Sequence, residues 1–335
     1  MNDYTPIPDW TPEGDPSPSL ELRRERMQAS SIAIAILFIS LATLLFQILF
    51  SALIFLVAPQ LTEKPWYMMV ISMLPMHLIA MPLSLVFYRL GKASPPTKRS
   101  LSFPAWLALL CITFAITYIG NFIGIAVNAI ISLITGEPVE NQLDVLTQQT
   151  PLWANLVFVG ILAPILEEIF YRKLVIDRLR RYGDLVAILV SGALFGLLHG
   201  NFSQFFYAFL GGVLFGYVYL YTGKLRYTIA LHMTVNLVGG VFISELAKHI
   251  DEEALASGSI DAILQNLLPL SLFGTYLLFI IACLILGPIL LILFRRHIRF
   301  EKGEIQLTPK SFFRIFFLNP PVWILLLFII FTFIL

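Results

Sequence analysis

The chain has 335 residues, of which 58% are hydrophobic and only 13% charged, with a formal net charge of +1. A soluble domain carries about a quarter charged residues, and a near-neutral chain offers no basic face for a nucleic acid. Several apolar runs reach the roughly 20 residues that cross about 30 Å of hydrocarbon as a helix. They are continuous rather than alternating, which excludes a β-barrel. The fold class is therefore an all-α, polytopic transmembrane helical bundle.

Residues 1–28 hold acids, prolines and no apolar run of the kind a signal peptide needs, and read as a disordered tail. Eight spans follow at roughly 29–58, 66–88, 104–135, 153–171, 184–199, 203–222, 227–245 and 268–294. A weaker ninth, at 318–335, has Pro320-Pro321 near its start and is open to a half-inserted reading. This divides the chain into a tail (1–28), N-terminal membrane helices (29–150), a core (151–245) and C-terminal membrane helices (246–335). Cys111 and Cys283 lie inside apolar runs and read as small core residues, neither a disulfide nor a metal pair.

Under this span order, all of the 22 basic residues except Lys64 and Lys248 fall on one side of the membrane. The opposite loops carry Glu137, Glu140, Asp144, Asp251, Glu252, Glu253 and Asp261. Positive charge marks the cytoplasmic face, so the expected N-terminus is cytoplasmic. For a prokaryotic source the protein would sit in the inner membrane. The basic loops would meet anionic lipid headgroups.

Polar residues inside these runs raise the functional question. A charge at the bilayer centre costs about 2.5–3.5 kcal/mol on insertion scales, so such groups face a cavity or a partner. Residues 163–172 read APILEEIFYR. Glu168 and Arg172 stand four residues apart on one helical face and can pair. Glu167 points about 100° away and is left for another partner. His199 ends the fifth span, and His232 and Asn236 share a face of the seventh. His77, in MLPMHLIAMP, has no such companion and reads as a satisfied core histidine. Glycines at 192, 196 and 200, and at 212 and 216, allow close helix approach. Taken together, the polar set has the parts for peptide hydrolysis. A carboxylate can take a proton from water, a histidine can orient that water, and a His/Asn pair can donate to an oxyanion. Serine and aspartate-pair chemistry fit less well, because Ser191 lacks a Gly-x-Ser-Gly context and the aspartates lie in loops or tails. For the polar groups to meet, either the fourth span continues toward Arg180, or the fifth starts below the membrane surface and ends inside it, or both.

Three motifs stand in order: EExxxR at Glu167-Glu168 to Arg172, FxxxH at Phe195 to His199, and HxxxN at His232 to Asn236. With these, residues of about 150–245 resemble the CPBP family of integral-membrane proteases, also called the CAAX protease and bacteriocin-processing (Abi) family. The resemblance implies a glutamate-dependent endopeptidase. Glu167 would activate water, His199 would help to position it, His232 and Asn236 would form the oxyanion hole, and Glu168 with Arg172 would support them. The family is often described as metalloproteases. Glu167, His199 and His232 are candidate ligands for a divalent ion such as Zn²⁺, but HExxH is absent, and metal-free water activation stands equally open. Implied substrates are membrane-associated or lipid-anchored proteins, with CAAX-type prenylated ones as a narrower version. The alternatives are a non-enzymatic scaffold or bacteriocin-immunity protein on the same fold, and a transporter using the cluster as a proton relay.

Overall fold

A computed structural model gives the fold and describes residues 20–88, 92–251, 255–256, 259–305 and 308–334. Seven of its helices are long and apolar enough to cross a membrane: α1 (Arg23–Val57, within a helix that starts at Leu20), α2 (Tyr67–Phe87), α3 (Phe103–Thr135), α5 (Leu152–Tyr182), α7 (Phe202–Thr222), α8 (Leu225–Ala247) and α9 (Leu267–His297). Between them lie a short α4 (Gln142–Gln149) and a 14-residue α6 (Asp184–Leu197). The chain ends in α10 (Pro309–Phe317) and α11 (Pro320–Phe333), bent by 67°.

The all-α polytopic bundle is as expected, and its span count reaches the lower end of the expected eight to nine. The described helices give seven spans, or eight if the bent pair forms one. The expected fifth span is too short: 14 residues rise about 21 Å. Gly200, at φ +68°, turns the chain back inside the bundle. The Pro320-Pro321 segment is the second arm of the bent pair. It covers the α6–α7 corner, with Thr332 against Gly200 and Phe333 against Phe202 and Phe205.

Local sequence explains several boundaries. Ser102 caps α3 by accepting from the Ala105 N–H, and Gly136, at φ 77°, ends it. Asn201 caps α7 in the same way through the Gln204 N–H. Small residues set the packing. A Cβ at Gly212 would stand 2.9 Å from the Gly192 Cα, which closes the α6–α7 hairpin. On the other side of α7, a Cβ at Gly120 of α3 would stand 2.5 Å from the Tyr207 Cα. That neighbour is backbone and cannot swing away. Gly120→Leu is therefore expected to lower stability by at least about 1–3 kcal/mol, as overpacking does. Unfolding in detergent measures this, and an unchanged midpoint would contradict the close α3–α7 contact.

The expected 1–28 tail is helical in its last nine residues. Residues 1–19 lie outside the described residues, but α1 already runs through 20–28, where Glu25 and Gln28 are buried. Glu25 pairs with Arg181 at 3.1 Å and accepts from the Tyr182 hydroxyl, and Gln28 Nε2 donates to the Arg178 carbonyl. A plate of polar contacts thus ties the start of α1 to the end of α5. It continues through Arg180 to Asp184 and Glu301. Around the bundle, the outward residues of α1 and α9 are leucine, isoleucine and phenylalanine, as a lipid-facing surface requires.

Candidate active site

The site is built on α2, α5, α6 and α8. Glu167 stands midway along α5, about 22 Å of helical rise from either end. A position near the headgroups, which the shorter span 153–171 implied, is thereby replaced by one near mid-helix. α5 continues helically through Arg180, the first of the two routes that would let the polar groups meet.

Three of these four helices also carry π-helical turns. These fall at Pro75–Ala80 in α2, at Asn155–Leu162 and Ile169–Ile176 in α5, and at Asn236–Phe242 in α8. One extra residue in a turn re-aims the side chains around it, and such turns recur at functional sites.

Glu168 and Arg172 are each 0% exposed and meet as a bidentate pair, with Arg172 Nε on Oε2 at 2.9 Å and Nη2 on Oε1 at 3.1 Å. The guanidinium also packs over the rings of Phe195 (5.2 Å), Phe215 (5.8 Å) and Tyr171 (6.0 Å). Its Nη1 donates to Ser191 Oγ, which in turn donates to the Tyr171 carbonyl. Ser191 is buried and fully used in holding this arginine. Glu168 Oε1 also accepts from the Nδ1–H of His232 at 3.2 Å.

Glu167 is arranged differently. Its side chain is 13% exposed and lines a cavity of about 560 Å³. Two imidazoles flank its carboxylate: His77 Nε2 lies 3.6 Å from Oε1, and His232 Nε2 lies 3.8 Å from Oε2. Both gaps are wider than a direct hydrogen bond and suit a shared water or a small closing motion. His199 lines the same cavity, its Nδ1–H given to the Phe195 carbonyl at 2.7 Å. Asn236 also lines it, with Nδ2 donating to the Val159 carbonyl at 3.0 Å. Phe195 is the hub of the site, edge-on to His199 at 5.2 Å and to His232 at 5.6 Å.

One pattern unites the three histidines. Each gives its Nδ1–H to a fixed oxygen (Met73 carbonyl, Phe195 carbonyl, Glu168 carboxylate), so the tautomer follows from the acceptor. Each is left with Nε2 as the uncommitted nitrogen.

His77 departs from its reading as a satisfied core histidine. Only its Nδ1 is satisfied. Its Nε2 is buried without a hydrogen-bond partner and faces the site. Its position between Pro75 and Pro82, at a helix irregularity, was the one local signal.

Orientation of His Nδ1 by a fixed acceptor is also how metal-ligating imidazoles are held. A tetrahedral Zn²⁺ with ligands at 2.0–2.2 Å, however, needs three donors about 3.3 Å apart. Among the described residues, no group of three His, Cys, Asp or Glu is so gathered, Glu167, His199 and His232 included. The residues as arranged do not fit a metal.

The cavity lining mixes apolar side chains, Ile36, Ile39, Met73, Met76 and Met81 among them, with polar ones such as Asn121, Asn141, Asp144, Asn201 and Gln204. Asn121, Asn141 and Asp144 also border a second cavity of about 360 Å³. Burial holds the Asp144 carboxyl above the usual carboxylate range, despite the hydrogen bond it accepts from Asn141. The remaining ionisable pair of interest, Cys111 and Cys283, is free.

Residues 149–238 match the family described as Type II CAAX prenyl endopeptidase Rce1-like. A curated relative, the membrane-embedded CAAX protease MroQ of Staphylococcus aureus (strain USA300), is 31% identical over 125 residues, which cover 35% of this chain and 48% of that protein. The match thus spans about half the length of that relative. No solved structure matches the chain.

Proposed function

We propose that this integral membrane protein, a member of the CPBP (CAAX protease) family through the core at 149–238, is an intramembrane endopeptidase in which Glu167 activates the attacking water. One observation carries the reading. Of two adjacent carboxylates, Glu168 is saturated by Arg172 and His232, while Glu167 opens onto a large cavity that His199, His232 and Asn236 also line.

The chemistry follows from that division. A water in the cavity gives a proton to Glu167 Oε2 as its oxygen bonds to the scissile carbonyl carbon. The carbonyl π pair moves onto oxygen. Asn236 uses one amide hydrogen on Val159 and keeps the other for that developing oxyanion, with His232 flanking the same space. His199, pinned at Nδ1, offers Nε2 to hold the water. The proton on Glu167 then passes to the leaving nitrogen as the C–N bond breaks, and the carbonyl re-forms. Glu168 and Arg172 act through His232, fixing its ring.

A cavity lined by both apolar and polar side chains suits an amphiphilic substrate, such as a membrane-associated or lipid-anchored polypeptide with its cleavage site near the bilayer. CAAX-type prenylated proteins are one member of that class. The basic loops of the sequence favour a cytoplasmic N-terminus.

The test is comparative peptidomics of membranes from strains that carry the wild-type protein or Glu167→Gln. A defined set of cleavage products is expected to vanish in the variant. Identical peptide sets from the two strains would remove the proteolytic reading, and would favour a scaffold or immunity role on this fold.

A further inference from the structure

We infer that His77 is a positioning residue for Glu167, contributed by a helix outside the 149–238 core. The inference rests on the proteolytic reading above and extends it to a part of the chain that carries none of the three motifs.

The geometry is specific. His77 is 1% exposed, and its Nδ1–H is committed to the Met73 carbonyl at 2.9 Å, one turn back on the same helix. Any interaction with Glu167 must therefore come from Nε2. That nitrogen is buried, without a hydrogen-bond partner, and 3.6 Å from Oε1. A buried imidazole nitrogen left unpaired is costly. The cost has a use if Nε2 is completed when the site works. The ring is aimed by the π-helical turn Pro75–Ala80, which itself begins on a proline and gives up regular backbone hydrogen bonding.

Two facing acceptors, a ring nitrogen lone pair and a carboxylate oxygen, repel unless a proton lies between them. One proton on the Nε2–Oε1 line removes the repulsion and draws the 3.6 Å gap to bonding distance. It also settles the charge. Arg172 cancels Glu168, so an ionised Glu167 is the single unbalanced charge of this buried cluster, and one proton on His77 makes the cluster neutral. With the proton on Nε2, Oε1 is occupied as a hydrogen-bond acceptor. Oε2 is then the oxygen left to take the proton of water, on the side where His232 stands. His77 thereby selects which oxygen of Glu167 acts and keeps it in the acceptor form. It forms no bond to substrate and ends each cycle unchanged.

The experiment uses the full-length protein in proteoliposomes, with two fluorogenic reporters: a farnesylated CAAX-type peptide and a non-prenylated, membrane-anchored peptide. His77→Leu fills the space without a donor. His77→Gln supplies an amide N–H that can reach Oε1 without a full charge. On whichever reporter the wild type cleaves, His77→Leu is expected to lower kcat about 100-fold with KM changed by no more than about twofold, the pattern of a misoriented reacting group. His77→Gln should recover about tenfold of that loss. Unfolding midpoints are read in parallel. His77→Leu retaining wild-type kcat overturns the inference. So do Leu and Gln variants that lose activity equally and in step with their midpoints, because a purely structural role predicts that result. If the wild type cleaves and Glu167→Gln does not, failure at His77 leaves the proteolytic reading standing. A wild type inactive on both reporters, in a preparation that is folded, overturns both.

Discussion

Glu167→Gln is expected to lower the rate of peptide cleavage by about two to four orders of magnitude, the contribution of a general base, while the protein stays folded and inserted. The substitution is nearly isosteric. It removes the proton-accepting carboxylate but keeps a side chain that can donate to His77 Nε2, which now lies unpaired. The Glu168–Arg172–His232 unit does not depend on Glu167, since its hydrogen bonds at 2.9, 3.1 and 3.2 Å involve Glu168 alone. Hence the fall should appear in kcat, with the unfolding midpoint within a few degrees of wild type. Single-turnover cleavage of a membrane-anchored reporter, paired with a thermal melt in detergent, separates the two effects. Cleavage within about tenfold of wild type would be too small a loss for a missing general base and would unseat Glu167 from that role.

What sequence could reveal of this site follows from range. Within one helix, spacing is informative: Glu168 and Arg172 pair as their four-residue separation requires, and the three motifs bring Glu167, Phe195, His199, His232 and Asn236 to one cavity. His77 escaped because its partner lies 90 positions away, on a helix whose packing against α2 no local pattern encodes. A lone histidine in an apolar run carries the same signal whether its second nitrogen is buried idle or faces a carboxylate. α6 misled for a related reason. The run 184–199 is apolar enough to span, but its length is set by Gly200 and by the cover that α11 provides from the far end of the chain. The early start of α1 was hidden likewise. LELRRERMQ reads as the end of a disordered tail, and Arg181 and Tyr182, distant in sequence, are what Glu25 meets in the fold.

The second large effect is expected in stability. Arg172→Met should cost about 3–5 kcal/mol, because it strands Glu168 in a fully buried position without its cation. Arg172→Lys should recover only part of this. An ammonium is a point charge that cannot make the two-pronged contact at 2.9 and 3.1 Å or lie flat among Phe195, Phe215 and Tyr171. The informative variant is the double one, Glu168→Gln with Arg172→Met. Replacing both members of a buried pair by neutral groups of similar volume removes the stranded charge, so most of the lost stability should return. Activity should not return in full, because an amide oxygen holds the His232 Nδ1–H more weakly than the charged carboxylate does. Denaturant unfolding in detergent, read beside cleavage, gives both numbers. If Arg172→Met proves as stable as wild type, the pair is not the buried anchor described here. If the double variant regains full cleavage together with stability, Glu168 does not act through His232. A double variant that is folded but impaired in cleavage would assign the first glutamate of the motif to chemistry and the second to holding the histidine that faces it.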